Sequence, residues 1–136
     1  VSQELLAVAG PRRSADRARR RTVISHAAEQ MPSRISHQIL ETECATVALV
    51  QTAPVGGSIG DLRRDRESVR GALAVTDAGL QTAMSTSDPH EHGAEAGHVL
   101  IEADVDQVTM VTDGLGFVPA YWGESDGSLM LSTHLA

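Results

Sequence analysis

The amino-acid sequence predicts an α+β domain of antiparallel β-sheets with a few helices, and three observations carry that expectation. Helix-forming residues dominate positions 15–31, and Pro32 stops the run. An apolar, β-rich run over 44–52 is closed by Pro54, Gly56 and Gly57. Toward the C-terminus, short apolar segments alternate with Asp-containing turns, the pattern of an antiparallel meander.

Taken in order, residues 1–14 end in Gly10-Pro11 and read as a loosely held arm. The helix over 15–31 follows, and 33–40 reads as a short second helical turn. Cys44 to Thr52 is the first strand. Ser58 to Arg70 is charged, with Ile59, Leu62 and Val69 as its apolar positions, and reads as an exposed helix. Gly71 to Thr76 is a second strand. Ser85 to Gly97 is polar, contains Pro89 and Gly93, and is expected to be loop. Four strands are expected at 98–103, 105–112, 117–122 and 128–132. Their turns are Asp104-Val105-Asp106, Asp113-Gly114 and Asp126-Gly127. No internal repeat is visible.

A chain of 136 residues suits one small domain. Hydrophobic residues make up 41% of it but aromatics only 2%, so the core must be built from Val, Leu, Ile, Ala and Met. No apolar run approaches the roughly 20 residues needed to cross a bilayer, which excludes a membrane-spanning helix. Cys44 is the single cysteine, so an intrachain disulfide is excluded and a cytoplasmic setting is expected. All eleven basic residues are Arg, the last of them Arg70. From Gly71 onward there are ten acidic residues and no basic one, so nucleic acid is not expected as a ligand. The cluster Arg12, Arg13, Arg17, Arg19, Arg20 and Arg21 reads as a solvated helix face, with an anionic partner as the alternative.

The segment Thr112-Asp113-Gly114-Leu115-Gly116-Phe117-Val118-Pro119-Ala120-Tyr121-Trp122 resembles the A-R-D-x-x-G-x-x-P-L-Y-Y stretch of class II glutamine amidotransferase domains, as in asparagine synthetases and β-lactam synthetases. Gly127 to Leu135 fills the place of the family's following turn and strand. Gly97 to Val111 is similar to its G-x-F-A-F-A-L-x-D hairpin. Upstream, Arg66 to Leu73 sits where the family carries R-G-P-D-S-x-G, and Cys44-Ala45-Thr46-Val47 occupies the place of its C-G-I-x-G start.

The resemblance implies a pruned N-terminal-nucleophile-hydrolase sandwich over 44–136, preceded by an Arg-rich helical arm or propeptide-like segment over 1–43. In that family an N-terminal Cys attacks the glutamine amide, its own α-amine serving as base. Cys44 is internal here, Glu67 and Val69 replace the Gly and Asp of the R-G-P-D-S motif, and the family's substrate-clasping N-G and G-D segments have no counterpart. The expectation is therefore a non-catalytic domain associated with an ATP-dependent, asparagine-synthetase-like enzyme. ATP and Mg²⁺ would belong to that partner and no cofactor to this chain, and an oligomer is compatible with the reading. Arg66 is the candidate for holding a substrate carboxylate, with a solvated helix face as the bland alternative. Asp113, Gly116, Pro119, Tyr121 and Trp122 are the structural motif, in which Gly116 needs a conformation that favours Gly and Trp122 has at least one buried face.

Two further alternatives stay open. Glu41-Thr42-Glu43-Cys44 resembles the acidic propeptide junction of some family members, and cleavage there would expose a Cys α-amine and an active glutaminase. A small metal- or protein-binding module is the other: Asp88-Pro89-His90-Glu91-His92, with His98, offers metal-ligand types. Solvated loop residues are the expected outcome there, with no metal bound.

Overall fold

Two antiparallel sheets stack face to face, with a helix on the outer surface of each. The computed structural model describes residues 2–10, 14–53, 58–86, 97–112, 118–125 and 127–133. The elements run β1 (Ser2–Ala9), α1 (Ser14–Glu29), β2 (Arg34–Glu41), β3 (Ala45–Thr52), β4 (Ile59–Asp65), β5 (Ser68–Ala74), α2 (Asp77–Ser85), β6 (His98–Ala103), β7 (Val108–Thr112), β8 (Tyr121–Ser125) and β9 (Ser128–Ser132). Sheet A has the order β2-β3-β1-β9-β8 and sheet B the order β4-β5-β6-β7.

The layering follows from which strands are apolar on both faces. In β1, Leu5 and Ala7 enter the core between the sheets, while Leu6 and Val8 pack under α1. β3 repeats this, with Val47 and Leu49 facing sheet B and Ala48 and Val50 facing the helix. Helix α1 supplies Ile24 and Ala28 at a four-residue spacing to that outer layer. One turn earlier Arg20 is 2% exposed and donates to the Glu43 carbonyl at 2.8 Å, its stem lying along the sheet. Arg17 and Arg21 both reach Glu41 at the end of β2, which ties the helix to the sheet edge.

Between the sheets, Leu5, Val47, Leu62, Leu73, Val99 and Ile101 form the main core. The layers approach closely at Gly71. A Cβ there would lie 2.9 Å from Leu5 Cδ1 and 3.1 Å from Leu62 Cδ1, so only glycine lets both leucines fill that space. On the far side of sheet B, α2 covers Ala72 and Leu100 with Ala83, Leu80 and Met84. Thr76 caps α2, its Oγ1 accepting from Gly79 N at 3.0 Å.

Several expectations are corrected. Residues 2–9 are not an arm: β1 is paired on both edges, with β3 along its whole length and with β9 from Leu6 to Ala9. Residues 34–41 form an edge strand rather than a helical turn. The charged stretch 58–70 is not a helix but β4, a two-residue turn at Arg66-Glu67 and the start of β5. The C-terminal strands do not make one meander, because β6 and β7 belong to sheet B while β8 and β9 belong to sheet A. Helix α2 had no counterpart in the sequence reading.

Candidate functional site

An apolar concavity lies on the outer face of sheet A, where α1 covers β1, β2 and β3 and leaves β9 and β8 open beside it. This groove has a volume of about 440 Å³ and is walled by Leu6 and Val8 of β1, Ala27 of α1, Met31 just beyond it, Tyr121 of β8 and Met130 of β9. Strand register explains the lining. Met130 pairs with Val8 and Ser132 with Leu6, so these side chains share the helix-facing side. His26 and Gln30 stand on its α1 wall, the polar contribution of the helix.

A second, polar region gathers at one end of the sandwich. The β4–β5 turn contributes Asp65, Arg66 and Glu67, and the β6–β7 link contributes Asp104 and Asp106 to the same open cleft. Arg66 sits at the tip of its turn, exposed and with φ of 58°, in the left-handed region. The sequence put Arg66 in an exposed helix over 58–70; it lies in the turn between two strands. Cys44 belongs to the same end but lies beneath it, 6% exposed in the inter-sheet core. Its Sγ donates to the Asp104 carbonyl at 3.2 Å, and its own carbonyl accepts from Gly10 N at 2.9 Å. Cys44 thus has the environment of a small core residue with a weak S–H donor.

A third feature is the ion pair of Arg70 and Glu102 on cross-strand partners of β5 and β6. Arg70 also donates to the Thr86 carbonyl at 2.5 Å, satisfying a backbone acceptor at the end of α2. The guanidinium therefore joins sheet B to α2.

Of the remaining sequence candidates, Pro119 and Tyr121 lie on the approach to and start of β8. Trp122 is on β8 as well, yet 70% exposed, so the expected burial is not found. Its cross-strand partner is Leu131, which faces the inter-sheet core, but β8 is the outermost strand of sheet A. Asp113 and Gly116 lie outside the described residues, as do Asp88, His90, Glu91 and His92. His98 is buried on the side of sheet B that carries Leu100, and its Nε2 has no hydrogen-bond partner among the described residues. Among the described residues, no group of three or more His, Cys, Asp or Glu side chains is placed to hold a metal ion, and no helix is long and apolar enough to cross a membrane.

The groove was missed by sequence reasoning because its walls come from opposite ends of the chain. One signal was present. Met130 lies between Leu129 and Leu131, so β9 is apolar on both faces and each face needs an apolar neighbour. Comparison of the chain with protein-family models and with curated proteins gives no match.

Proposed function

We propose that this chain is a non-catalytic, glutamine-amidotransferase-like domain that works beside an ATP-dependent, asparagine-synthetase-like amide-forming enzyme in the cytoplasm. The observation that carries the non-catalytic part is the setting of Cys44. An N-terminal nucleophile needs a free α-amine as base and a thiol open to substrate. Cys44 lies in the turn between β2 and β3, with its amine in a peptide bond and its sulfur buried against Asp104. A chain beginning at Cys44 would also lack β1, the strand at the centre of sheet A. The active-glutaminase alternative therefore requires the loss of Leu5 and Ala7 from the main core.

Two stacked antiparallel sheets between helices accord with the sandwich that the motif at 112–122 implies, and this supports the family reading. In that reading ATP and Mg²⁺ act in the partner synthetase. The role left to this domain is contact, and the groove beside α1 is the apolar surface available for it.

Two measurements test the proposal. Purified 1–136 should release no ammonia from glutamine above a blank, and Cys44→Ala should behave like the parent. Turnover that vanishes in Cys44→Ala would overturn the non-catalytic assignment. The coding sequence following Ala136, or a neighbouring gene, should encode an S-G-G-x-D-S segment, the ATP-binding signature of the synthetase. Its absence from both would remove the partner.

A further inference from the structure

We infer that β8 is a self-association edge, and that two copies of this chain pair antiparallel through it about a two-fold axis at Gly123. The inference goes beyond the amide-forming role and does not depend on it.

An edge strand presents unpaired backbone donors and acceptors, and charged residues are the usual protection against pairing with another chain. Edge β2 carries Arg34, His37 and Glu41, and edge β4 carries Asp61, Arg63, Arg64 and Asp65. Edge β7 has no charge, but Val108 and Met110 pack on the inter-sheet core and Val111 packs with α2, so its side chains are used within one copy. Edge β8 carries a single charge, Glu124, beside exposed apolar side chains. Of the five exposed large hydrophobics among the described residues, three lie on the β8–β9 hairpin: Trp122 at 70%, Tyr121 at 38% and Met130 at 37%.

The sequence Tyr121-Trp122-Gly123-Glu124-Ser125 is also complementary to itself. Antiparallel pairing centred on Gly123 sets Gly123 opposite the partner's Gly123, Trp122 opposite the partner's Glu124, and Tyr121 opposite the partner's Ser125. No like charges meet, because the only ionised residue of the strand faces an indole. Gly123 places no side chain on the axis, and a Cβ built there meets nothing within 4 Å, so that position is open. The two Trp122 rings become diagonal neighbours on one face, at the roughly 7–8 Å spacing that aromatic side chains span. The contact is isologous and closes as a dimer, joining two five-stranded sheets into one continuous sheet. Each copy has a net charge of −7, so the general repulsion between copies falls, and association tightens, as salt is raised.

Sedimentation velocity of the full chain over a wide concentration range tests the pairing, with two substitutions at one exposed position. Trp122→Glu places Glu opposite the partner's Glu124 twice by symmetry, whereas Trp122→Lys places Lys there. The Lys variant should dimerise at least about tenfold more tightly than the Glu variant, since both cross-strand pairs change sign. Melting curves confirm that both variants are folded. In the parent, emission from Trp122, the single tryptophan, should shift to shorter wavelength over the concentrations at which the dimer forms. A parent that stays monomeric throughout, or Glu and Lys variants that associate equally, overturns the inference.

Discussion

Truncation of Leu5 to Ala tests whether the first strand belongs to the core. Leu5 is fully buried on the side of β1 that meets sheet B, and it lies over the bare backbone of Gly71. Buried Leu→Ala changes cost about 2–5 kcal/mol, with the larger values where the cavity cannot collapse. Here the strand carrying Leu5 is paired on both edges and so is the strand carrying Gly71, so neither wall moves readily. The expected cost is therefore about 4 kcal/mol, out of roughly 5–15 kcal/mol for a whole domain. The melting temperature should fall by roughly 10–15 °C. Gly71→Ala alone should cost about 1–3 kcal/mol, because its new methyl meets Leu5 Cδ1 at 2.9 Å. In the double variant the methyl enters space that Leu5 has vacated. Its destabilisation should fall short of the sum of the singles by about 1–2 kcal/mol. Urea unfolding followed by far-ultraviolet circular dichroism measures all four proteins. Single and double changes that add to within about 0.5 kcal/mol would show that Leu5 and Gly71 do not meet, and a Leu5→Ala protein as stable as the parent would return residues 2–9 to the status of an arm.

Two other changes probe polar groups in the packed layers. Thr46 is fully buried and its Oγ1 has no hydrogen-bond partner among the described residues, so Thr46→Val, which keeps the shape and removes the hydroxyl, should raise stability by about 1 kcal/mol in the same unfolding assay. Glu102→Ala should cost about 1–3 kcal/mol because it leaves the guanidinium of Arg70, with 18% of its side chain exposed, without its carboxylate. Arg70→Ala should cost more than Glu102→Ala, since it also removes the donor to the end of α2.

The elements legible in the sequence were those whose pattern is local. α1 was bounded by Pro32, β3 was a continuous apolar run, and β6 and β9 were short apolar segments between turns. β1 was missed because helix and sheet cover its opposite faces, which erases the alternation that marks a half-buried strand. β4 was mistaken for a helix because its turn carries Arg66 in the left-handed conformation where Gly or Asn would have signalled a hairpin. β2 is an edge strand with five polar residues of eight and half its positions exposed, and Ile35, Ile39 and Leu40 are split between its two faces, so no single apolar face declared itself. Burial of Trp122 was expected from its motif, yet a ring's exposure depends on whether another layer reaches the outermost strand. That is a property of the assembled sheets rather than of the segment.

The first and last strands of the described fold are hydrogen-bonded neighbours near the middle of sheet A, Leu6 lying opposite Ser132. During synthesis, β1 emerges well before β9 and cannot complete its ladder until residues 128–132 have left the ribosome. β4 through β7 pair only with sequence neighbours, so sheet B can assemble while one edge of β1 is still waiting. The Thr133 hydroxyl and amide then fasten to the amide and carbonyl of Leu5 at 2.8 and 3.0 Å, the last clasp to close. A sheet completed by contacts of such long sequence separation folds slowly, and one edge of its apolar central strand stays open to wrong partners until residues 128–132 arrive.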